Sequence, residues 1–399
     1  MAKNHLIVGL DIGSASIKLL AVMPKPESID FEVLSQFTEI SFGVRRGVII
    51  DVGKISRKIS SLLEKAANET GQRIKEIVVN IGGAHIFSTF SHGTVAVSRA
   101  DEKISKEDIE RVLRAAQTFS LPSNREILEI FPKEFIVDGE KGIKEALGMK
   151  GVRLEAEILV LACFSPYLKN LEKAVLDADY QIADIVCNPL ASARAVLSAQ
   201  EKELGVLLLD IGAGTTSFSV FQEGGLVYLG VIPIGSGHIT NDIAIGLKTD
   251  VETAERIKLQ YGGCFLKSSK KIKVKEEASG EGLIFSQKAL GKIIDARVSE
   301  IFEQVQKELK KISLPRLPGG AVLCGGGAKI PKIKEFTKKS LGLPCKIGRI
   351  TGFFPKIENP QLATVCGLVL RGKELMDEEQ SSGWDFVQKL KKILKNFVP

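Results

Sequence analysis

The stretch LIVGLDIGSASIK (residues 6–18) returns in the second half of the chain as GVLLLDIGAGTTS (residues 205–217). Self-similarity of this kind marks an internal duplication. Each copy reads as an apolar strand, an Asp-Ile-Gly turn rich in small hydroxyl residues, and a second strand, Ile17 to Val22 or Ser217 to Phe221. The pattern predicts a β-hairpin in each half. Glycine tolerates positive φ and has no side chain, so successive backbone N–H groups in such a turn can converge on phosphate oxygens. Gly13, Gly212 and Gly214 supply that freedom. The hydroxyls of Ser14, Ser16, Thr215 and Thr216 add donors, Lys18 adds a point charge, and Asp11 and Asp210 are suited to hold a magnesium ion through water. The two hairpins are expected to clasp a polyphosphate from opposite sides. No GxxxxGK[ST] sequence occurs, so the strand-loop-helix phosphate cradle is excluded.

Two further signals lie downstream. Ala321 to Cys324 is a short apolar strand running into Gly325, Gly326 and Gly327. A glycine cluster there forms either a plain turn or a place where backbone approaches a flat ligand. Glu255 and Lys258 sit three apart on a helical pattern from Val251 to Gln260, so they share one face. They either hold a ribose or form an ordinary surface pair.

A chain of 399 residues with 44% hydrophobic content is long enough for two or more compact units. The six cysteines are far apart, with no CxxC spacing, and the start enters a strand-like run at Leu6 with no secretory leader, which together imply a reducing cytosol. No apolar stretch approaches the roughly 18 residues that a spanning helix needs. The net charge of +7 is spread among acids, and only 6% of residues are aromatic, which argues against a nucleic-acid face.

The segments DIGSASIK, DIGAGTTS, AERIK and LCGGGAKIP, in this order, resemble the ATPase core shared by actin, the heat-shock chaperones and the sugar kinases. The resemblance implies an α/β fold: a two-lobed actin-like ATPase with a duplicated core. It also implies ATP with Mg2+ as cofactor, the hairpins on the phosphates, the glycine turn on adenine, and two helices crossing the base of the cleft, at Asn188 to Leu197 and Asn359 to Leu370. Within that group, FGVRRGVIID (42–51), VNIGGAHI (79–86) and FPKEFIVDG with GMKGVRLEAE (131–157) resemble the FtsA family of bacterial cell-division proteins over nearly the whole chain. That family places a small inserted subdomain on the first lobe, here residues 84 to about 162, read as strands Gly93 to Ser98, Arg125 to Val137 and Ala156 to Cys163 with an amphipathic helix Lys106 to Thr118.

The domain order implied is 1–83 for the first-lobe core, completed by 358–376. The insert follows, then 163–234 for the second-lobe core, completed by 312–357, and 235–311 for its outer subdomain. Nucleotide contacts carried over fall on Gly13, Ser14, Lys18, Gly212, Gly214, Thr215, Thr216, Gly237, Glu255, Lys258, Gly325 and Gly326. Many relatives open the first crossing helix with a glutamate or glutamine that orients water, whereas Asn188 stands here. Its amide is no general base, so ATP hydrolysis is expected to be slow. The resemblance also implies tethering of FtsZ to the cytoplasmic membrane at the division site, self-association into a filament, contacts with other division proteins through the insert, and an FtsZ tail peptide near Lys292 and Arg297. The type IV pilus assembly protein of the same core is the nearest competitor, and the GMKGVRLEAE segment and the tail favour FtsA. A sugar kinase would need a carboxylate base facing a sugar pocket, and a chaperone would need a separate substrate domain.

Residues 377–383, DEEQSSG, read as a flexible acidic linker. In WDFVQKLKKILKNFVP (384–399), Phe386, Val387, Leu390, Ile393, Leu394, Phe397 and Val398 share one arc of a helix. Lys389, Lys391, Lys392 and Lys395 lie elsewhere around it, and Trp384 stands at its start. These features predict an amphipathic helix that binds an anionic membrane surface, the alternative being a terminal helix packed on the core.

Overall fold

The computed structural model describes residues 6–25, 30–118, 122–276, 280–312 and 316–380. The first hairpin forms as the sequence predicts: β1 (Ile7–Ile12) and β2 (Ser16–Pro24) pair antiparallel, and β3 (Phe31–Ile40) continues the meander. A short hairpin, β4 (Val44–Arg45) and β5 (Val48–Ile49), leads into α1 (Val52–Thr70). The Asp51 side chain caps α1 by accepting from Lys54 N, and Gly71, in the left-handed region, ends it. The helix buries Ile55, Ile59, Leu62, Leu63 and Ala66, the three-and-four spacing of one apolar stripe. β6 (Glu76–Ile81) then returns parallel to β1.

From β6 the chain leaves to build the insert: β7 (Phe87–Ala96), α2 (Lys106–Gln117), β8 (Arg125–Val137), β9 (Glu140–Ile143) and β10 (Arg153–Phe164). Its four strands make a separate sheet in the order β7-β10-β8-β9 around a core of its own that includes Val112, Leu113, Ala156 and Ile158. The sequence reading located α2 and β8, started the first strand too late, and omitted β9, whose residues are mostly polar and exposed.

The chain then re-enters the first lobe through α3 (Ser165–Leu176) and β11 (Gln181–Cys187), which runs parallel to β6 at the sheet edge. This corrects the expected boundary at residue 163. The insert is spliced into a β6-α3-β11 crossover, and only the long-range pairing of β11 with β6 reveals that 165–187 belong to the first lobe. α4 (Asn188–Val196) and α5 (Ala199–Leu204) carry the chain into the second lobe.

There β12 (Val206–Ile211), β13 (Thr216–Gln222) and β14 (Gly225–Ile232) repeat the meander. An excursion follows through α6 (Ser236–Leu247), α7 (Val251–Tyr261), the hairpin β15 (Lys271–Lys275) and β16 (Gly282–Ser286), and the long α8 (Gln287–Leu309). β17 (Ala321–Cys324), α9 (Ile333–Leu341) and β18 (Cys345–Ile347) complete the sheet. Its order, β14-β13-β12-β17-β18, matches β3-β2-β1-β6-β11 strand for strand. The duplicated sequence is therefore a duplicated topology.

β19 (Phe353–Phe354) crosses back to pair with β3, so the return to the first lobe precedes the expected residue 358. A 3-10 turn at Pro360–Leu362 opens α10 (Ala363–Gln380), which lies against β1 and β2 while α4 lies against β12 and β13. The two helices pack on each other between the sheets, as the resemblance implied. α10 runs past the expected end at Leu370, and residues 377–380 of the expected linker are its last turn. Ion pairs of Lys373 with Asp377 and of Arg371 with Glu378 hold that turn in the helix. Among the described residues no helix is long and apolar enough to cross a membrane. The tail residues Trp384 to Phe397 lie outside the described residues.

Candidate functional site

The two Asp-Ile-Gly turns close in the same way, Gly13 N donating to Ser16 O at 3.1 Å and Gly212 N to Thr215 O at 2.9 Å. They face each other where the lobes meet: a Cβ on Gly214 would lie 2.6 Å from Ser14 Oγ and 3.0 Å from Arg46 Cα, so a larger residue there would have to displace the serine or its neighbour.

On the first turn, Asp11 is buried at the end of β1 opposite Lys18, whose Nζ donates to Asp11 Oδ2 at 2.7 Å. Its other oxygen accepts from Asn80 Nδ2 at 2.9 Å. Asn80 also accepts from Ile12 N at 2.6 Å and donates to Asn188 Oδ1 at 3.0 Å. It thereby sets the rotamers of both cleft residues. Asn80 was missed in the sequence, where the only signal is one amide ending the apolar run EIVVNI of β6.

On the second turn, Asp210 Oδ2 accepts from Ser192 Oγ of α4 at 2.7 Å and from Thr364 Oγ1 of α10 at 3.1 Å. Burial pushes its carboxyl above the ordinary range; the Ser192 and Thr364 hydroxyls oppose that shift and the negative charge of Asp11 adds to it. Among the described residues no third metal-ligating side chain joins Asp11 and Asp210. Thr215 is buried in the turn. Thr216 is fully buried and donates to Ile234 O at 2.8 Å, so it braces the hairpin and is not free to meet a phosphate. Ser16 is half-buried at the start of β2.

Gly237 is in the first turn of α6, held on the second hairpin by Gly237 N donating to Ala213 O at 2.9 Å and Ser236 N to Gly212 O at 2.8 Å. The helix end thus points its amide dipole at the same turn. Lys258 on α7 donates to Glu255 Oε2 at 2.6 Å and to Thr240 Oγ1 of α6 at 2.8 Å, so the pair is bound into the α6-α7 contact beside Gly237. The glycine turn lies on the end of β12. A Cβ on Gly325, whose φ is +80°, would come 2.4 Å from Asp210 Oδ1, while Gly326 lies against Gln361 and Gly327 against Ile211. The structure therefore brings both hairpins, the α6 end and the glycine turn next to one another.

Two residues stand apart. Arg297 on α8 forms a two-pronged pair with Asp242 of α6, at 2.6 and 2.8 Å, and contacts Glu300, whereas Lys292 is exposed. His85, unremarked in the sequence, sits where the insert joins the first lobe. Its ring nitrogens meet Gly82 O at 2.9 Å and Phe164 N at 3.3 Å, and burial lowers its pKa to about 4.

A protein-family model described as cell division protein FtsA matches residues 207–367, and one described as an SHS2 domain inserted in FtsA matches residues 83–162. The cell division protein FtsA of Pseudomonas aeruginosa is 35% identical over 385 residues, covering 95% of this chain and 92% of that protein. The chain belongs to the FtsA family. FtsA of Bacillus subtilis is also 35% identical, over 372 residues, covering 92% and 84% of the two chains. Among solved structures, the PilM-PilN type IV pilus biogenesis complex aligns with a TM-score of 0.65 over 92% of this chain and 98% of that chain, at 17% identity. MreB5 of Spiroplasma citri bound to ADP aligns with a TM-score of 0.58 over 95% and 99%, at 16% identity. These likenesses show the actin-like fold, and it is the sequence identity that separates FtsA from the pilus protein of the same architecture.

Proposed function

We propose that this FtsA-family chain binds ATP with magnesium between its two hairpins and acts as a division scaffold. In that role it attaches FtsZ filaments to the cytoplasmic membrane and polymerises there. The observation that carries the reading is the facing pair of equivalent turns, with Asp11, Lys18 and Asp210 converging at their base. The ADP held by the MreB5 structure of the same fold supports a nucleotide in this cleft. Backbone N–H groups of the turns and Lys18 would hold the phosphates, the Gly325 turn would meet the base, and Glu255 with Lys258 the ribose. Asn188, an amide held by Asn80, positions water without taking its proton, so turnover is slow. The FtsZ tail peptide is assigned to the outer part of the second lobe, the membrane contact to residues 384–399, and contacts with other division proteins to the insert.

Gly325→Glu tests the cleft. The new side chain starts 2.4 Å from Asp210 Oδ1 and brings a third carboxylate to the two already there. Binding of Mg-ATP in a fluorescence titration is expected to vanish, with the far-ultraviolet dichroism of the parent retained. Parental affinity in this variant would falsify the assignment.

A further inference from the structure

The short hairpin β4-β5 lies at the cleft without a role in the reading above. Its turn has Arg46 at φ +51° and Gly47 at φ +78°, the primed geometry of a two-residue hairpin. Asparagine and glycine suit the first position, whereas arginine there is strained. The surroundings fix that strained tip in place. Gly47 N donates to Ser14 Oγ at 2.8 Å, and a Cβ on Gly47 would lie 2.7 Å from Gly83 N. Across the cleft, a Cβ on Gly214 would lie 3.0 Å from Arg46 Cα. The tip is thus wedged between the first turn, the end of β6 and the opposite turn.

Arg46 does not hold this arrangement together through its side chain. It is exposed and makes no ion pair among the described residues. If the second lobe holds base and ribose through Gly325, Glu255 and Lys258, the phosphate chain runs toward Ser14, and its last phosphate arrives beside the β4-β5 tip. Ser14 accepts from Gly47 N, which leaves the serine hydrogen to donate to a phosphate oxygen. A guanidinium offers a planar, two-pronged donor matched to phosphate.

We propose that Arg46 is a binding residue for the terminal phosphate of a nucleoside triphosphate, and that the β4-β5 tip is the element that tells triphosphate from diphosphate. The proposal rests on the cleft assigned above. It adds a cation from outside both duplicated hairpins, on a segment that touches both lobes, so loss of the last phosphate would be felt at the contact between them.

Calorimetric titration of the full chain with Mg-ATP and Mg-ADP tests this, using the parent, Arg46→Asn and Arg46→Lys. Asparagine keeps the left-handed turn while removing the charge. It is expected to weaken ATP by about tenfold to a hundredfold and to leave ADP within about threefold, the range of a charge-assisted hydrogen bond. Lysine is expected to restore part of the ATP affinity. An Arg46→Asn protein that keeps the parent's ratio of ATP to ADP affinity overturns the proposal, whether both affinities are unchanged or both fall together. So does a parent that binds the two nucleotides equally. A parent that binds neither overturns the cleft assignment itself, an outcome distinct from the others.

Discussion

Asp11 and Asp210 occupy the same place in the two copies, yet their neighbours differ. Opposite Asp11 on the partner strand stands Lys18, and opposite Asp210 stands Ser217, so only the first acid is neutralised within its own hairpin. Asp210 turns instead to the hydroxyls of the two crossing helices, which ties the second hairpin to the junction of the lobes. Burial in that junction is what raises the pKa of the Asp210 carboxyl. The same attention to partners separates the two cations assigned to the FtsZ tail. Arg297 is committed to Asp242, so Arg297→Glu would set three acids together and disturb α6 and α8. Lys292 is exposed and is the cleaner probe. Lys292→Glu is expected to weaken binding of an FtsZ tail peptide by up to about fivefold, the range of one exposed ion pair, with an unchanged melting temperature. Fluorescence anisotropy with a labelled peptide checks this, and unaltered affinity removes Lys292 from the contact.

At the scale of elements, the decisive contact is the crossing of α4 and α10. A Cβ on Gly367 would lie 1.7 Å from Ala191 O, and because the obstacle is backbone, no rotamer change relieves it. Gly367→Ala therefore has to push the helices apart. The expected loss is about 1–3 kcal/mol of stability, the usual cost of overpacking. Since Asn188, Ser192 and Thr364 ride on these helices, nucleotide affinity should fall as well. A urea midpoint equal to the parent's would show that the crossing has slack. Element by element, the hairpins, α2, α7 and β17 were legible because their patterns are local: period two in the strands, near 3.6 in the helices. β9 and the length of α10 were not. A polar edge strand has no apolar alternation, and the last turn of α10 is held by ion pairs that extend an acidic run resembling a linker.

For the whole molecule, the proposed division of labour is a nucleotide cleft in the body and a membrane contact in residues 384–399. Deleting those residues is expected to leave Mg-ATP binding intact and to abolish flotation with anionic vesicles. Leu390→Glu or Phe397→Glu should act like the deletion, because a charge on the apolar arc adds a desolvation cost. Replacing Lys391 and Lys392 with glutamate should matter most at low salt, each lysine contributing on the order of 1 kcal/mol near an anionic surface. Flotation of the truncated chain at the parent's level would mean that the tail packs on the body. Under this proposal one such anchor would bind weakly and reversibly, whereas a filament carrying many anchors would stay attached through effective concentration.

The sequence by itself determined the duplication, the hairpins and the family, because each is written in contiguous residues whose chemistry is local. Tertiary structure alone decided that α3 and β11 return to the first lobe, that Asn80 orders Asp11 and Asn188, that Thr216 faces inward, and that Arg46 stands at the meeting of the two turns. Most of those facts depend on contacts between segments distant in the chain, 108 residues apart in the case of Asn80 and Asn188. The period of a strand says which face is buried and does not name the distant strand that will cover it.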